Sequence, residues 1–229
     1  MRDLALLSHV YNAQSAVDGQ LQNWRALPPD ALSRLEFLLV DDCSDTPLQV
    51  AADGLPLRAF RIISDIPWNM AGAKNLLRSQ AQAPWLLFFD IDNHLAAAHV
   101  VTLLSCLPNL DPQTTYLFQR NYQGQSVDPH INTFLVHRTV LDNVGGFDED
   151  FCGHYGFEDV YFHKLLVDRG LNRILLVDLP FEQGSARTGD LDRDMERNRA
   201  LLNQKVSQNT GVSAQQLRFE WMPLPGGLN

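Results

Sequence analysis

Two short stretches of this chain restrict its fold more than anything else in it. Leu35 to Val40 and Trp85 to Phe89 are almost unbroken runs of apolar residues, and each stops at carboxylates, the first at Asp41-Asp42 and the second at Asp90-Ile91-Asp92. Near-continuous apolar runs of strand length belong to strands hidden on both faces, as in a sheet covered by helices on each side. Around them the first half alternates strand-like and helix-like segments, the signature of βαβ units. Leu4 to His9 reads as the first strand. Ala13 to Arg25 then carries Val17, Leu21 and Trp24 at helical spacing up to the break at Pro28-Pro29. Arg58 to Ile63 reads as a further strand, Asp65 to Asn69 as a loop, and Ala71 to Gln82 as a helix.

The expected class is therefore α/β, with a mainly parallel central sheet flanked by helices. In such sheets ligands bind in the crevice beyond the carboxyl ends of the strands, which is where both carboxylate pairs fall. A single Asp pair at a strand end is commonly a helix cap or a turn. Two pairs at equivalent strand ends point to one lined crevice.

The second half is less regular. Thr115 to Gln119, Thr133 to His137 and Arg173 to Val177 read as strands, and Thr139 to Val144 and Glu158 to Asp168 as helices, with Gly145-Gly146 breaking the chain between them. Asp190 to about Gln208 reads as a surface helix with Leu191, Met195, Leu201 and Leu202 on one side, and the residues from Met222 onward as an irregular tail. A length of 229 residues with 45% hydrophobic content suits one core. One domain is expected over 1–210, with a first half at 1–95, a second half at 96–185, a helix at 186–210 and a tail at 211–229.

Composition removes several function classes. A net charge of −9 argues against nucleic acid, because neutralising phosphates needs clustered cations. Cys43, Cys106 and Cys152 are too few and too scattered for a disulfide framework, and no pair has the C-x-x-C spacing of a metal or redox site. Met1-Arg2-Asp3 leads straight into the first strand with no basic and long apolar leader, and no apolar run approaches the roughly 20 residues that span a bilayer. The expected location is the cytoplasm, with any membrane contact peripheral.

Asp90-x-Asp92 at the end of a buried strand puts two carboxylates where a hard divalent cation, Mn²⁺ or Mg²⁺, can bind and bridge to a diphosphate. The metal would act as a Lewis acid on the departing diphosphate. Further along, Gly145-Gly146-Phe147-Asp148-Glu149-Asp150-Phe151 is followed closely by Gly156-Phe157-Glu158-Asp159-Val160.

This pair of segments resembles the acceptor-side motifs of family 2 glycosyltransferases and of the β-1,4-galactosyltransferase family, whose fold is the GT-A nucleotide-diphospho-sugar transferase fold. The resemblance implies that Asp159 is the base for inverting transfer, with Glu158, Tyr155, His154 and Gly156 around the acceptor. The chemistry agrees, since an attacking sugar hydroxyl needs a carboxylate within reach to take its proton.

The resemblance extends backward over roughly residues 4 to 185. Ser8-His9-Val10-Tyr11-Asn12 and Val40-Asp41-Asp42-Cys43-Ser44-Asp45 resemble the family segments that border the nucleotide, with Asp42 or its neighbour Asp41 facing the base. Asn69-Met70-Ala71-Gly72-Ala73-Lys74-Asn75 resembles the segment that leads into the helix before the metal motif, whose amino end holds the nucleotide sugar. The implied nucleotide-sugar site comprises His9, Tyr11, Asn12, Asp41, Asp42, Asp65, Asn69, Gly72, Lys74, Asn75, Asp90 and Ile91. The implied partners are a UDP-sugar donor and a carbohydrate or glycolipid acceptor.

The chain departs from the family at one point. Relatives often place a metal-binding His after the last core strand, whereas Leu179 to Ser185 contains none. The metal then takes an oxygen from Glu182 or Gln183, or rests on Asp90, Asp92, diphosphate and water. The seven histidines are dispersed and lack the i, i+4 spacing of a helical zinc motif. Trp68 and Tyr155 are candidates either for stacking on a sugar or for packing.

The activity expected is inverting transfer of galactose, N-acetylgalactosamine, glucose or N-acetylglucosamine from UDP to a carbohydrate hydroxyl, in surface polysaccharide or glycan synthesis. A nucleotidyltransferase is the second enzyme reading, disfavoured because no Gly-rich basic loop follows the first strand. A non-catalytic nucleotide- or carbohydrate-binding protein is the third, and a base at Asp159 discriminates against it.

Overall fold

The structure is a computed structural model in which residues 2–184 and 191–227 are described. The first-half strands form as the apolar runs require: β1 (Leu4–Val10), β2 (Leu35–Asp42), β3 (Leu57–Ile62) and β4 (Trp85–Phe88). They are mutually parallel in the order β3-β2-β1-β4. The strands β5 (His94–Leu95), β6 (Thr114–Tyr122), β7 (Gln125–Val127), β8 (Phe134–His137), β9 (Asn172–Glu182) and β10 (Trp221–Pro223) complete one sheet of ten strands. The main path through it is β10-β3-β2-β1-β4-β8-β6-β9-β5, and β7 pairs with β6. Beyond β4 the sheet becomes mixed, since β8 is antiparallel to both β4 and β6 while β6 and β9 run parallel.

Period-two alternation divides the strands' side chains between two cores. Leu4, Leu6, Phe37 and Leu39 enter one, and Ala5, Leu7, Leu38 and Val40 enter the other. The first core is covered by α1 (Gln14–Arg25), α2 (Pro29–Arg34) and α4 (Ala97–Cys106). Val17, Leu21 and Trp24 of α1 are buried as their spacing predicts, and Trp24 stacks on Phe37 with ring centroids 4.4 Å apart. The second core is covered by α3 (Met70–Gln80), α5 (Arg138–Val144) and α6 (Glu158–Asp168). In α3 every residue from Ala71 to Leu77 is buried, because small residues at its start let the helix press onto the sheet. Gly145, at φ +93°, ends α5 in the left-handed conformation that glycine adopts at least cost.

The structure departs from the sequence expectations in several places. Pro29 starts the short helix α2 rather than only ending α1, and α4 forms where no helix is expected from the sequence. The segment expected to be an irregular tail is part of the fold. Trp221–Pro223 pairs antiparallel with β3, Phe219 packs against α3, and Trp221 stands edge-on to Phe60. The surface helix is α7 (Glu196–Gln208), whose inward side combines Leu201 and Leu202, packed against the second core, with buried Asn198 and Lys205. Leu191 and Met195 precede the helix, and 186–190 lie outside the described residues. No helix among the described residues is long and apolar enough to cross a membrane.

Candidate active site

A cavity of about 660 Å³ opens beyond the carboxyl ends of β1, β2 and β4. His9 and Tyr11 come from the end of β1, Asp42 from β2, and Asp65 and Trp68 from the loop after β3. Asp90, Ile91 and Asp92 follow β4, and Tyr155 to Val160 enter from the start of α6. Both expected halves of the site thus share one space.

The adjacent carboxylates Asp41 and Asp42 have different tasks. Asp41 is fully buried, accepts hydrogen bonds from the Ser44 and Leu48 amides at 2.9 and 3.2 Å, and pairs with Arg61. Its oxygens are committed to holding the loop after β2, so the structure does not offer it to a base. Asp42 lines the cavity, with the Asn69 amide donating to it at 3.3 Å. Burial, with Asp41 and Asp65 nearby, pushes the Asp42 carboxyl up to about 7 in spite of that bond.

Several residues that resemble nucleotide contacts are supports. Asn12 has its amide bonded to Ser44 Oγ at 2.9 Å and its side chain bonded both ways with Asp45, joining the β1 and β2 loops. Asn69 carries Asp42. Gly72 is buried in α3, where an added Cβ would sit 2.5 Å from the Phe219 ring. Asn75 bonds to the amide and carbonyl of Phe147 and to Glu149 Oε1, all at 2.8 to 2.9 Å. Lys74 is buried beneath the site and donates to Asn132 Oδ1 at 2.7 Å. His9 faces the cavity, and burial together with the Lys74 charge lowers its imidazole to about 4, so it is neutral at pH 7.

The loop after β4 is fixed from behind. Buried Gln20 of α1 donates to the carbonyls of Ile91 and Asn93, and Asn93 Nδ2 donates to Thr133 Oγ1 at 3.2 Å. Gln20 belongs to no motif, and only its helical phase with Val17 and Leu21 places it inward. Asp90 and Asp92 face the cavity, and His130 Nδ1 lies 3.9 Å from Asp90 Oδ2. Gln183 also lines the cavity. Glu182 lies instead in a neighbouring groove of about 450 Å³, where Asn121 Nδ2 donates to it at 2.7 Å. That groove is also lined by Asp92 and Gln183, and Glu182 pairs there with His94 at the sheet edge. No group of three or more His, Cys, Asp or Glu that could hold a metal occurs among the described residues. The two carboxylates suit a hard cation whose remaining ligands are substrate oxygens and water.

On the opposite wall Glu158 and Asp159 begin α6. Phe157 ahead of them is left-handed at φ +73°. Glu158 is buried; desolvation and the neighbouring Asp159 raise its carboxyl, while Lys74 opposes the rise. Asp159 is half-buried and open to the cavity, with Oδ1 accepting from the Val160 amide at 2.6 Å. Gly156 and Tyr155 line the cavity. His154 is exposed and outside it; its carbonyl, rather than its ring, serves the loop by accepting from Asn198 at 2.9 Å.

Trp68 and Tyr155 pack on each other with centroids 4.5 Å apart, and the Arg193 guanidinium lies over both rings. Arg120, His130, Asn132, Leu191, Arg193 and Met195 also line the cavity. Nothing in the local sequence marks any of these as a site residue.

The Gly145 to Phe151 segment bonds to the C-terminal region and does not line the cavity. Glu149 accepts from the Leu217 amide at 2.9 Å and the Arg218 amide at 3.3 Å, and Lys205 bridges Asp148 and Asp150 at 2.8 Å each.

No protein-family model matches the chain, and no curated protein matches its sequence. Its fold is similar to that of residues 1–349 of S. aureus TarS, with a TM-score of 0.64 and 17% identity over 80% of this chain and 60% of that one. The same fragment in complex with UDP-GlcNAc gives 0.64 and 16% identity over 82% and 60%. The mannosyltransferase PcManGT from Pyrobaculum calidifontis, in complex with GDP-Man and Mn²⁺, gives 0.63 and 16% identity over 82% and 59%. The chain therefore spans about 60% of the length of these structures. The fold expected from the sequence, an α/β sheet of GT-A type flanked by helices, is the fold these structures share with it.

Proposed function

We propose that the chain is an inverting glycosyltransferase that moves a hexose from a nucleotide diphosphate, UDP on the reading of its motifs, to a carbohydrate hydroxyl. One observation carries this reading: Asp42, the Asp90/Asp92 pair and Asp159 line different walls of a single cavity. Nucleoside, diphosphate and acceptor would then lie across it in that order. The likeness to transferases whose structures contain UDP-GlcNAc or GDP-Man supports the class of donor.

Tyr11 and Asp42 border the nucleoside, with Asp42 bonding the base. Asp90 and Asp92 would hold the cation, which supplies Lewis-acid stabilisation of charge on the diphosphate. Asp159 accepts the proton of the acceptor hydroxyl as that oxygen bonds to the anomeric carbon and the bond to the diphosphate breaks. The products are the glycoside, with its anomeric centre inverted, and the nucleoside diphosphate. The walls of the cavity around Tyr155 and Trp68 shield the reacting carbon from bulk water.

The test is a screen of UDP-glucose, UDP-galactose, their N-acetyl forms and GDP-mannose for slow hydrolysis by the full chain with and without Mn²⁺. Release of UDP from one donor is the result expected. No turnover and no calorimetric binding of any nucleotide sugar would overturn the reading.

A further inference from the structure

The turn that delivers Glu158 and Asp159 to the cavity has an unusual backbone. Gly153, Gly156 and the non-glycine Phe157 all have positive φ, at +92°, +85° and +73°. A left-handed phenylalanine persists only where its surroundings hold it. The holding group comes from α7, distant in sequence. Asn198 has 0% exposure, and its Nδ2 donates to the carbonyls of Phe151, His154 and Gly156 at 2.9, 2.9 and 2.8 Å. Two N–H groups thus serve three carbonyls, one of them shared. Arg197 Nη1 fixes the amide from the other side, donating to Asn198 Oδ1 at 2.8 Å and to the Asp150 carbonyl at 2.9 Å. Next along α7, the Arg199 guanidinium lies 5.8 Å from the centre of the Phe157 ring.

We propose that Asn198 is a positioning residue for the acceptor side of the site, its carboxamide setting the shape of the 151–157 turn and hence the place of Glu158 and Asp159. The proposal rests on the transfer reading for its catalytic consequence and on the hydrogen bonds alone for its structural one. A carboxamide suits the position because all three groups it meets are acceptors. A carboxylate of the same shape would face three carbonyls without a proton to give, and an alanine would leave them without a donor in a space closed to water. Because α7 approaches from the acceptor side, the β1, β2 and β4 loops that would hold the donor do not depend on it.

The test compares the wild-type chain with Asn198→Ala and Asn198→Asp. Amide hydrogen exchange across 152–157 should rise at least tenfold in both variants, with exchange in β1 and β4 unchanged. Hydrolysis of the nucleotide sugar found by the donor screen, where water takes the acceptor's place, should show kcat at least tenfold lower and donor KM within twofold. A merely destabilising change would raise exchange everywhere and leave the kcat of the folded fraction alone. Should Asn198→Ala fail to fold, Asn198→Asp decides, since it keeps the side chain's shape and the oxygen facing Arg197. Turn exchange equal to wild type in Asn198→Asp overturns the proposal, as does a loosened turn with unchanged kcat. If the wild type itself turns over no nucleotide sugar, the transfer reading fails and hydrogen exchange still decides the clamp.

Discussion

Arg61 pairs with Asp41 beneath the end of β2, and this pairing separates the tasks of two neighbouring carboxylates. Successive residues of a strand point to opposite faces, so Asp41 turns inward to Arg61 and the loop amides while Asp42 turns to the cavity. Removing one partner of a buried ion pair costs more than the pair contributes, because the other charge is left uncompensated. Asp41→Asn should therefore destabilise the chain by about 3 kcal/mol and lower its melting point by roughly 6 to 12 °C. Thermal melts check this, and a change below 2 °C would return Asp41 to the list of candidate ligand contacts.

Asp42→Asn should act in the opposite direction, and only at higher pH. Burial raises the folded-state carboxyl to about 7 from the ordinary 3.8, so folding favours the protonated form. Its stabilising contribution is complete below about pH 4 and is lost as pH rises through about 7. Asparagine keeps the bond from Asn69 and carries no charge to desolvate. Melting points should coincide with wild type at pH 4 and exceed it at pH 8, by an amount corresponding to at most roughly 4 kcal/mol. Parallel curves across that range would refute a buried, proton-favouring Asp42.

Asp92→Asn should weaken donor binding and Mn²⁺ binding together, since one bridge serves both the bound diphosphate and the charge developing on it. Calorimetric titration of the donor with and without Mn²⁺ reports the linkage. Unchanged affinity for both would remove Asp92 from the proposed metal site.

Asp159→Asn should reduce transfer by about 10² to 10⁴ while leaving donor affinity near wild type. The competing role is a local one, because Asp159 Oδ1 accepts the Val160 amide, a bond that asparagine can also accept. Activity within a few-fold of wild type would favour that role. A product with retained anomeric configuration would also count against Asp159 as the base.

Phe219→Ala should lower stability by about 3 kcal/mol, in the range for a buried aromatic. Its ring closes the second core beside Gly72 and holds the C-terminal strand onto β3. A melting point within 2 °C of wild type would show that 211–227 is dispensable to the fold.

The sheet of the first half was legible in the sequence, because β1, β2 and β4 consist of apolar runs with few other ways to be buried. It also located the carboxylates at their ends, since the chain can turn into solvent only where the apolar run stops. It marked Glu158 and Asp159 through the order of their motif. Tertiary structure decided what sequence neighbours share: that Asp41 is committed to Arg61 while Asp42 is open, and that Asn75 and Glu149 join α3 to the C-terminal segment. It also drew Trp221–Pro223 into the sheet and placed Asn198 under the turn before α6. These are pairings between residues 20 to 163 positions apart, made by side chains or a short strand whose local context is that of any surface loop or helix. Hydrophobic periodicity is a local signal and can be read along the chain. The satisfaction of a buried hydrogen-bonding group depends on which distant segment the fold brings to it, and that is fixed only once the cores have packed.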